Sequence, residues 1–352
     1  MCVNTPEDLF DRFVRGEGYF GRLRLLDAEE GLRGLLADIR MHMNDMFGVQ
    51  RLRLQVDGAH PKLHFDLIDD CDEVNALAFA VEGWSIVGVT QSLFRTLQDV
   101  FAMACQNREF VASFGDAATP PQPIPLFTLL YLTAFQFVSA HELGHHVHGH
   151  LGLPTRSATA VRKEFSVASG GSHLASQAEE VEADGYAVHM VLGNMLRGGP
   201  RAHAAQLLGG AEDQPGIDET LLRVFMAAVV CFFHAVHQPF DAGKVDERSH
   251  PFELSRINTV ITDMHGWCAG QEPTFPQWPD VPQFVEFGAT LRGVLRATGI
   301  EDHWDDQSRF VQCKAGQDYR VRLYEEREAL RARMESFRWS VLPESSSAPP
   351  PT

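Results

Sequence analysis

The chain has six cysteines, Cys2, Cys71, Cys105, Cys231, Cys268 and Cys313, and none of them forms a CxxC pair. A disulfide framework serves small secreted domains, whereas a chain of 352 residues with 44% hydrophobic content can bury a core without staples. The thiols therefore read as reduced, in a cytoplasmic protein. Positive charge is also scarce. Thirty Lys and Arg stand against 47 Asp and Glu, for a formal net charge of −17. That balance disfavours nucleic-acid backbones and anionic membrane surfaces as partners, since both need positive potential. The opening residues Met1-Cys2-Val3-Asn4-Thr5-Pro6 lack a basic stretch and an apolar run, so export is not expected. No apolar run reaches the roughly 20 residues of a membrane span. Ile124 to Ala140 is uncharged but includes Thr128, Thr133, Gln136 and Ser139, and Val224 to Val236 contains His234. Both are expected as buried core helices, with peripheral membrane association left open. No internal repeat is present, and oligomeric state is not legible.

What the sequence does contain is His141-Glu142-Leu143-Gly144-His145, inside the run HELGHHVHGH. Residues four apart share a helix face, so His141 and His145 can hold one Zn²⁺ while Glu142 points toward its water. The pattern alone is moderately specific; its context adds to it. The preceding Leu126 to Ala140 carries no charge, no Gly and no Pro, as a buried helix feeding the site requires. Of the remaining histidines in the run, His148 falls near the ligand face, while His146 and His150 project away and are expected to be structural or exposed.

A catalytic zinc usually has three protein ligands and one open position. Downstream, Gln177 to Met190 is helical in composition, and Glu180 and Asp184 lie four apart within it. Glu180 can reach the metal while Asp184 accepts the free ring N–H of a ligand histidine. Ala183 would let this helix approach the first closely. The competing reading is an acidic, solvated helix face, which is the expectation for Glu179 and Glu182.

These residues carry a family resemblance. HExxH followed by Glu180-Val181-Glu182-Ala183-Asp184 resembles the gluzincin metallopeptidases of the HtpX and CAAX prenyl protease type, with their E-x-x-A-D helix. Asn75 to Ala80, then Ser85 to Thr90 and Leu93, is similar to that family's strand pair, and Ser249-His250-Pro251 with Arg256-Ile257 resembles its element after the third ligand. The resemblance implies His141, His145 and Glu180 as zinc ligands and Glu142 as general base. It also implies His250 as an oxyanion donor and Arg256 beside Asp184 or positioning His250. The chain departs from the pattern between Leu93 and His141, where an insertion contains Pro120, Pro121 and Pro123, and in the apparent lack of membrane-spanning helices. Substrate identity does not transfer, and similarity to phage-exclusion peptidases that cut one host protein stands as an alternative.

The expected fold is α+β: a mainly helical, zincin-like domain with a small, mostly antiparallel sheet. Residues 1–50 read as an N-terminal helical segment, 51–260 as the metallopeptidase domain, 261–342 as a helical extension and 343–352 as a disordered tail. Strands are expected at Arg51 to Val56, Lys62 to Ile68, Asn75 to Val81 and Ser85 to Val89. The strand near Asn75 to Phe79 is expected to lie at the sheet edge and pair with an extended substrate. The function expected is a zinc-dependent endopeptidase acting on a protein or peptide. A non-catalytic, zinc-stabilised interaction protein is the alternative from a different class, marked by a fourth protein ligand.

Overall fold

The structure, a computed structural model, describes residues 4–28, 30–69, 72–114, 123–152, 161–163, 173–209, 216–270, 287–288, 291–293, 296 and 304–341. The disordered tail expected at 343–352 lies outside them. In chain order the elements are α1 (Pro6–Gly16), β1 (Gly21–Arg22), α2 (Glu30–Arg53), β2 (Leu54–Gln55), β3 (Lys62–Asp69), β4 (Ala76–Val81) and β5 (Trp84–Thr90). There follow α3 (Gln91–Gln106), α4 (Arg108–Ala112), α5 (Pro123–Val147), β6 (Val161–Lys163), α6 (Leu174–Met195), α7 (Gly198–Leu207) and α8 (Ile217–Ala235). The last described elements are α9 (Glu253–Ala269), α10 (Trp304–Gln312), α11 (Lys314–Met334) and β7 (Ser340–Val341). The fold is mainly helical α+β, as expected.

The main sheet has the order β1-β3-β5-β4-β6, with β3 and β5 parallel and the other three pairs antiparallel. A two-residue turn at Glu82-Gly83 joins β4 to β5. Both residues adopt positive φ, 48° and 78°, which matches the right-handed twist of a hairpin. Side chains alternate between two buried faces. Leu77, Phe79 and Ile86 pack with Leu9, Phe10 and Val14 of α1, whereas Ala76, Val87 and Val89 face the larger core formed with α2, α3 and α5. The sheet is thus covered on both sides.

Two expectations about strands do not hold. Arg51 to Arg53 is the last turn of α2, not a strand, and only Leu54 and Gln55 are extended, pairing with β7. The alternation misled because Leu52 is exposed at 64%, so Arg-Leu-Arg has no buried face. Nor is β4 an edge: β6, from the stretch between α5 and α6, pairs along its outer side.

α5 is apolar because most of its circumference is packed inside the protein. It is long and apolar enough to cross a membrane by length and composition, and it is the one such helix among the described residues. Yet Leu126, Leu130, Tyr131, Ala134, Phe135 and Phe137 are fully buried inside the protein, Phe137 against Phe225, Phe232 and Phe233 of α8. α6 lies between two cores: Ala187, Val188 and Val191 join the large one, while Ala178 and Val181 join a smaller cluster with Phe252, Phe310, Tyr319 and Leu323. That double burial fixes the height and rotation of α6 against α5.

Candidate metal centre

His141, Glu142 and His145 sit on the last two turns of α5, and Glu180 and Asp184 on the first turns of α6; all five are buried. The helices approach closely where Gly144 meets Ala183: a Cβ added to Gly144 would lie 3.0 Å from the Ala183 Cα and 3.2 Å from its carbonyl oxygen. A glycine facing an alanine is what allows ligands on two helices to meet.

They do meet. The Nε2 atoms of His141 and His145 are 3.2 Å apart, His141 Nε2 is 3.2 Å from Glu180 Oε2, and His145 Nε2 is 3.6 Å from Glu180 Oε1. With metal bonds of about 2.0–2.1 Å, neighbouring ligand atoms of a tetrahedral site stand roughly 3.3–3.4 Å apart, so the spacing fits a metal ion at the centre. Among the described residues these three form the one such group, and its ligand atoms lie within 4.8 Å of one another.

Ring tautomers support the same conclusion. His141 Nδ1 lies 2.9 Å from Asp184 Oδ1 and must donate there, which leaves the lone pair of the neutral ring on Nε2, facing the Glu180 carboxylate. Acceptor opposes acceptor, an arrangement that a cation between them resolves. Asp184 is itself clamped: Arg256 donates from Nε to Oδ2 at 2.9 Å and from Nη2 to Oδ1 at 2.7 Å, with its guanidinium 4.6 Å from the centroid of the Phe233 ring. The chain Arg256 to Asp184 to His141 fixes the His141 ring in rotamer and tautomer.

His145 is held differently. His145 Nδ1 lies 2.9 Å from His150 Nδ1, both rings fully buried. With His145 Nε2 turned to the ligand group, its Nδ1–H donates to His150. This position was expected to point away; the structure corrects that because α5 ends at Val147. Gly149, at φ +78°, then turns the chain back beneath the helix. His146 is buried too, its Nε2–H donating to the Ile86 carbonyl of β5 at 3.2 Å, and burial pushes its pKa down to about 4.

His250 stands at the rim of the cluster. Its Nε2 is 3.6 Å from Glu180 Oε2, and the Ser249 hydroxyl is 2.7 Å from its Nδ1. With Ser249 as the donor, the His250 proton lies on Nε2, facing the site; with His250 as the donor, Nε2 carries the lone pair. The segment carrying His250 is held by a residue the sequence did not flag. Gln177 donates from Nε2 to the carbonyls of Val245 and Arg248, at 2.7 and 2.8 Å, and accepts from the Tyr319 hydroxyl at 2.7 Å. No spacing rule marks Gln177, because its partners lie far along the chain.

Glu179 and Glu182 were expected on a solvated face, and both are buried. Glu182 is paired with Arg331 and lies 3.9 Å from Arg327 Nε, both on α11, and His148 Nδ1 lies 3.8 Å from it. The covering helix arrives from the C-terminal region, so local charge patterning could not reveal it. Burial first, then the positive charges of Arg338, Arg331 and Arg327, push the His148 pKa down to about 3.

Residues 90–267, which include α5, α6 and most of α9, match the family model of peptidase U49. The chain belongs to the peptidase U49 family. No curated protein and no solved structure matches it. The match covers every residue placed at the buried cluster, so peptidase family membership and the ligand geometry fall on the same segment.

Proposed function

We propose that this U49 peptidase is a zinc-dependent endopeptidase acting on protein or peptide substrates in the cytoplasm, with His141, His145 and Glu180 as the ligands. The observation that carries the reading is the near-tetrahedral spacing of those three ligand atoms, with Glu142 on the same turn of helix. Zinc bound there supplies Lewis-acid polarisation of the scissile carbonyl and of the attacking water. Glu142 takes the proton of that water and passes it to the leaving amine. His250, with its Nε2–H turned inward, donates to the oxyanion that develops on the carbonyl. Asp184 and Arg256 hold His141 in place.

A site built only to join helices closes with a fourth protein ligand. Among the described residues the group stops at three, and the buried carboxylate of Glu142 adds a base that a structural site does not use.

Metal analysis of protein purified without added zinc, paired with Glu142→Gln, tests the reading. About one zinc per chain is expected in both proteins, with cleavage lost in the variant. Comparing new N-termini in cells producing wild type and Glu142→Gln then identifies the substrate. A wild-type protein that neither contains nor takes up zinc at neutral pH removes the basis of the proposal.

A further inference from the structure

We infer that β6 is a built-in strand holding the peptide-docking edge of β4, and that an extended substrate segment must displace residues 161–163 to be cut. The inference rests on the proposed peptidase activity and specifies how access to its site is controlled.

The register places β6 on the same sheet that the end of α5 packs against. His146, next to the ligand His145, donates to the Ile86 carbonyl; Ile86 pairs with Phe79, and Phe79 pairs with Val161. Two ladder steps of roughly 5 Å each therefore separate β6 from Ile86, the residue that His146 at the end of α5 touches. On its outer side β4 pairs with nothing else among the described residues: Leu77, Ala78 and Phe79 face Lys163, Arg162 and Val161, antiparallel. An extended peptide adding to the sheet would use this same row of main-chain groups.

The occupant is also weak. β6 has three residues where β4 has six. A substrate strand that pairs along all of β4, from Ala76 to Val81, offers more ladder bonds than β6 supplies. Competition of this kind selects long, unfolded segments and rejects folded loops too short to displace the strand.

A reversible lock tests this. Opposed residues of an antiparallel pair have Cα atoms about 4.5–5.5 Å apart, within reach of a disulfide. Ala78→Cys with Arg162→Cys, in a Cys313→Ser background and with the crosslink confirmed by intact mass, should bind and cut fluorescently labelled β-casein at least tenfold less well when oxidised than when reduced, with equal zinc content. In the opposite direction, Val161→Pro with Arg162→Pro removes β6 whichever residue donates to the ladder, and casein cleavage should rise severalfold over wild type. Binding is read separately in the Glu142→Gln background. Equal binding and cutting in both redox states overturns the role of β6 and leaves the peptidase reading standing. Casein bound more tightly by the reduced form but cut by no form, together with no Glu142-dependent new N-terminus in cells, supports the docking edge and overturns the peptidase reading. Casein neither bound nor cut by any form, again with no Glu142-dependent new N-terminus in cells, overturns both.

Discussion

Replacing Gly144 by alanine tests whether close helix approach sets the ligand geometry. The added Cβ would lie 3.0 Å from the Ala183 Cα, 3.2 Å from its carbonyl oxygen and 3.3 Å from its Cβ. Carbon atoms prefer about 3.5–4.0 Å, so α5 and α6 must part by roughly 0.5 Å. Two backbone atoms are among the obstacles, so no rotamer change relieves the contact. Overpacking costs about 1–3 kcal/mol, and alanine returns about 1 kcal/mol over glycine within a helix, for a net loss of roughly 0–2 kcal/mol. The metal feels the shift more. Bond lengths at such a site tolerate about ±0.2 Å, and the displacement would carry Glu180 away from two histidines that stand 3.2 and 3.6 Å from it. Zinc affinity should fall on the order of tenfold or more, about 1.4 kcal/mol per factor of ten, while the metal-free protein loses little thermal stability. Competition against a chromophoric chelator, alongside thermal unfolding of the metal-free form, reads both quantities. Adding Ala183→Gly removes only the 3.3 Å contact and leaves both backbone contacts, so it should restore little of the affinity. Unchanged zinc affinity in Gly144→Ala would show that the helices part without moving the ligands, and the reasoning would fail.

Three more outcomes follow from the buried polar groups. Asp184→Asn should weaken zinc binding about 10–100-fold, because the amide can still accept from His141 but no longer answers the Arg256 charge; a titration matching wild type would reduce Asp184 to a bystander. His150→Ala should weaken zinc binding by a similar factor and shift the visible spectrum of the cobalt-substituted protein, since His145 loses the partner of its Nδ1; an unchanged spectrum argues that the Nδ1 contact does not orient the ligand. Away from the site, burial pushes the Asp66 pKa up, but His64, Arg40 and Arg22 outweigh it and hold the carboxyl below its ordinary value of 3.8. Its folded pKa is depressed, so its stabilisation is complete above the ordinary value and is lost as pH falls through the folded one. Asp66→Asn should therefore cost about 3–5 kcal/mol near neutrality, with a flatter decline below pH ~4 in denaturant unfolding; parallel acid limbs for the two proteins would count against this assignment.

Legibility from sequence followed the distance between partners. The helix ending in His141 to His145, and the pairing of Glu180 with Asp184, are stated by spacings of four residues, and chemistry that needs one helix face leaves that mark locally. The hairpin at Glu82-Gly83 is equally local. By contrast, the burial of Glu182 depends on Arg327 and Arg331, and the role of Gln177 depends on Tyr319; neither partner is near in the chain. His150 was misplaced for a geometric reason: extrapolating the helix past Val147 points its ring outward, whereas the left-handed Gly149 ends the helix and sends the ring back to His145. β6 escaped notice because three residues of Val-Arg-Lys carry no strand signal of their own, and the partner β4 defines them.

Glu180, the proposed third ligand, is held by more of the chain than the HExxH motif spans. Glu180 rides on α6, and α6 is fixed against α5 by the Gly144–Ala183 contact, against α9 by Arg256 on Asp184, and against α11 by Tyr319 on Gln177 and Arg331 on Glu182. The first two restraints lie within the segment that matches the U49 family, residues 90–267; the third lies beyond it. Gly185 shows how close that outer layer comes, since a Cβ there would meet Asp263 Oδ2 at 2.8 Å and Arg327 Nη2 at 3.1 Å. A buried glutamate such as Glu182 is costly to leave without its arginines, so α11 cannot leave α6 without a penalty in the same helix that presents Glu180. The apolar contacts of Ala178 and Val181 with Tyr319 and Leu323 act in the same direction. The His-Glu-His motif specifies where a metal can bind, and the rotation of α6 that makes Glu180 converge on it is set jointly by the family segment and the C-terminal helices packed over it.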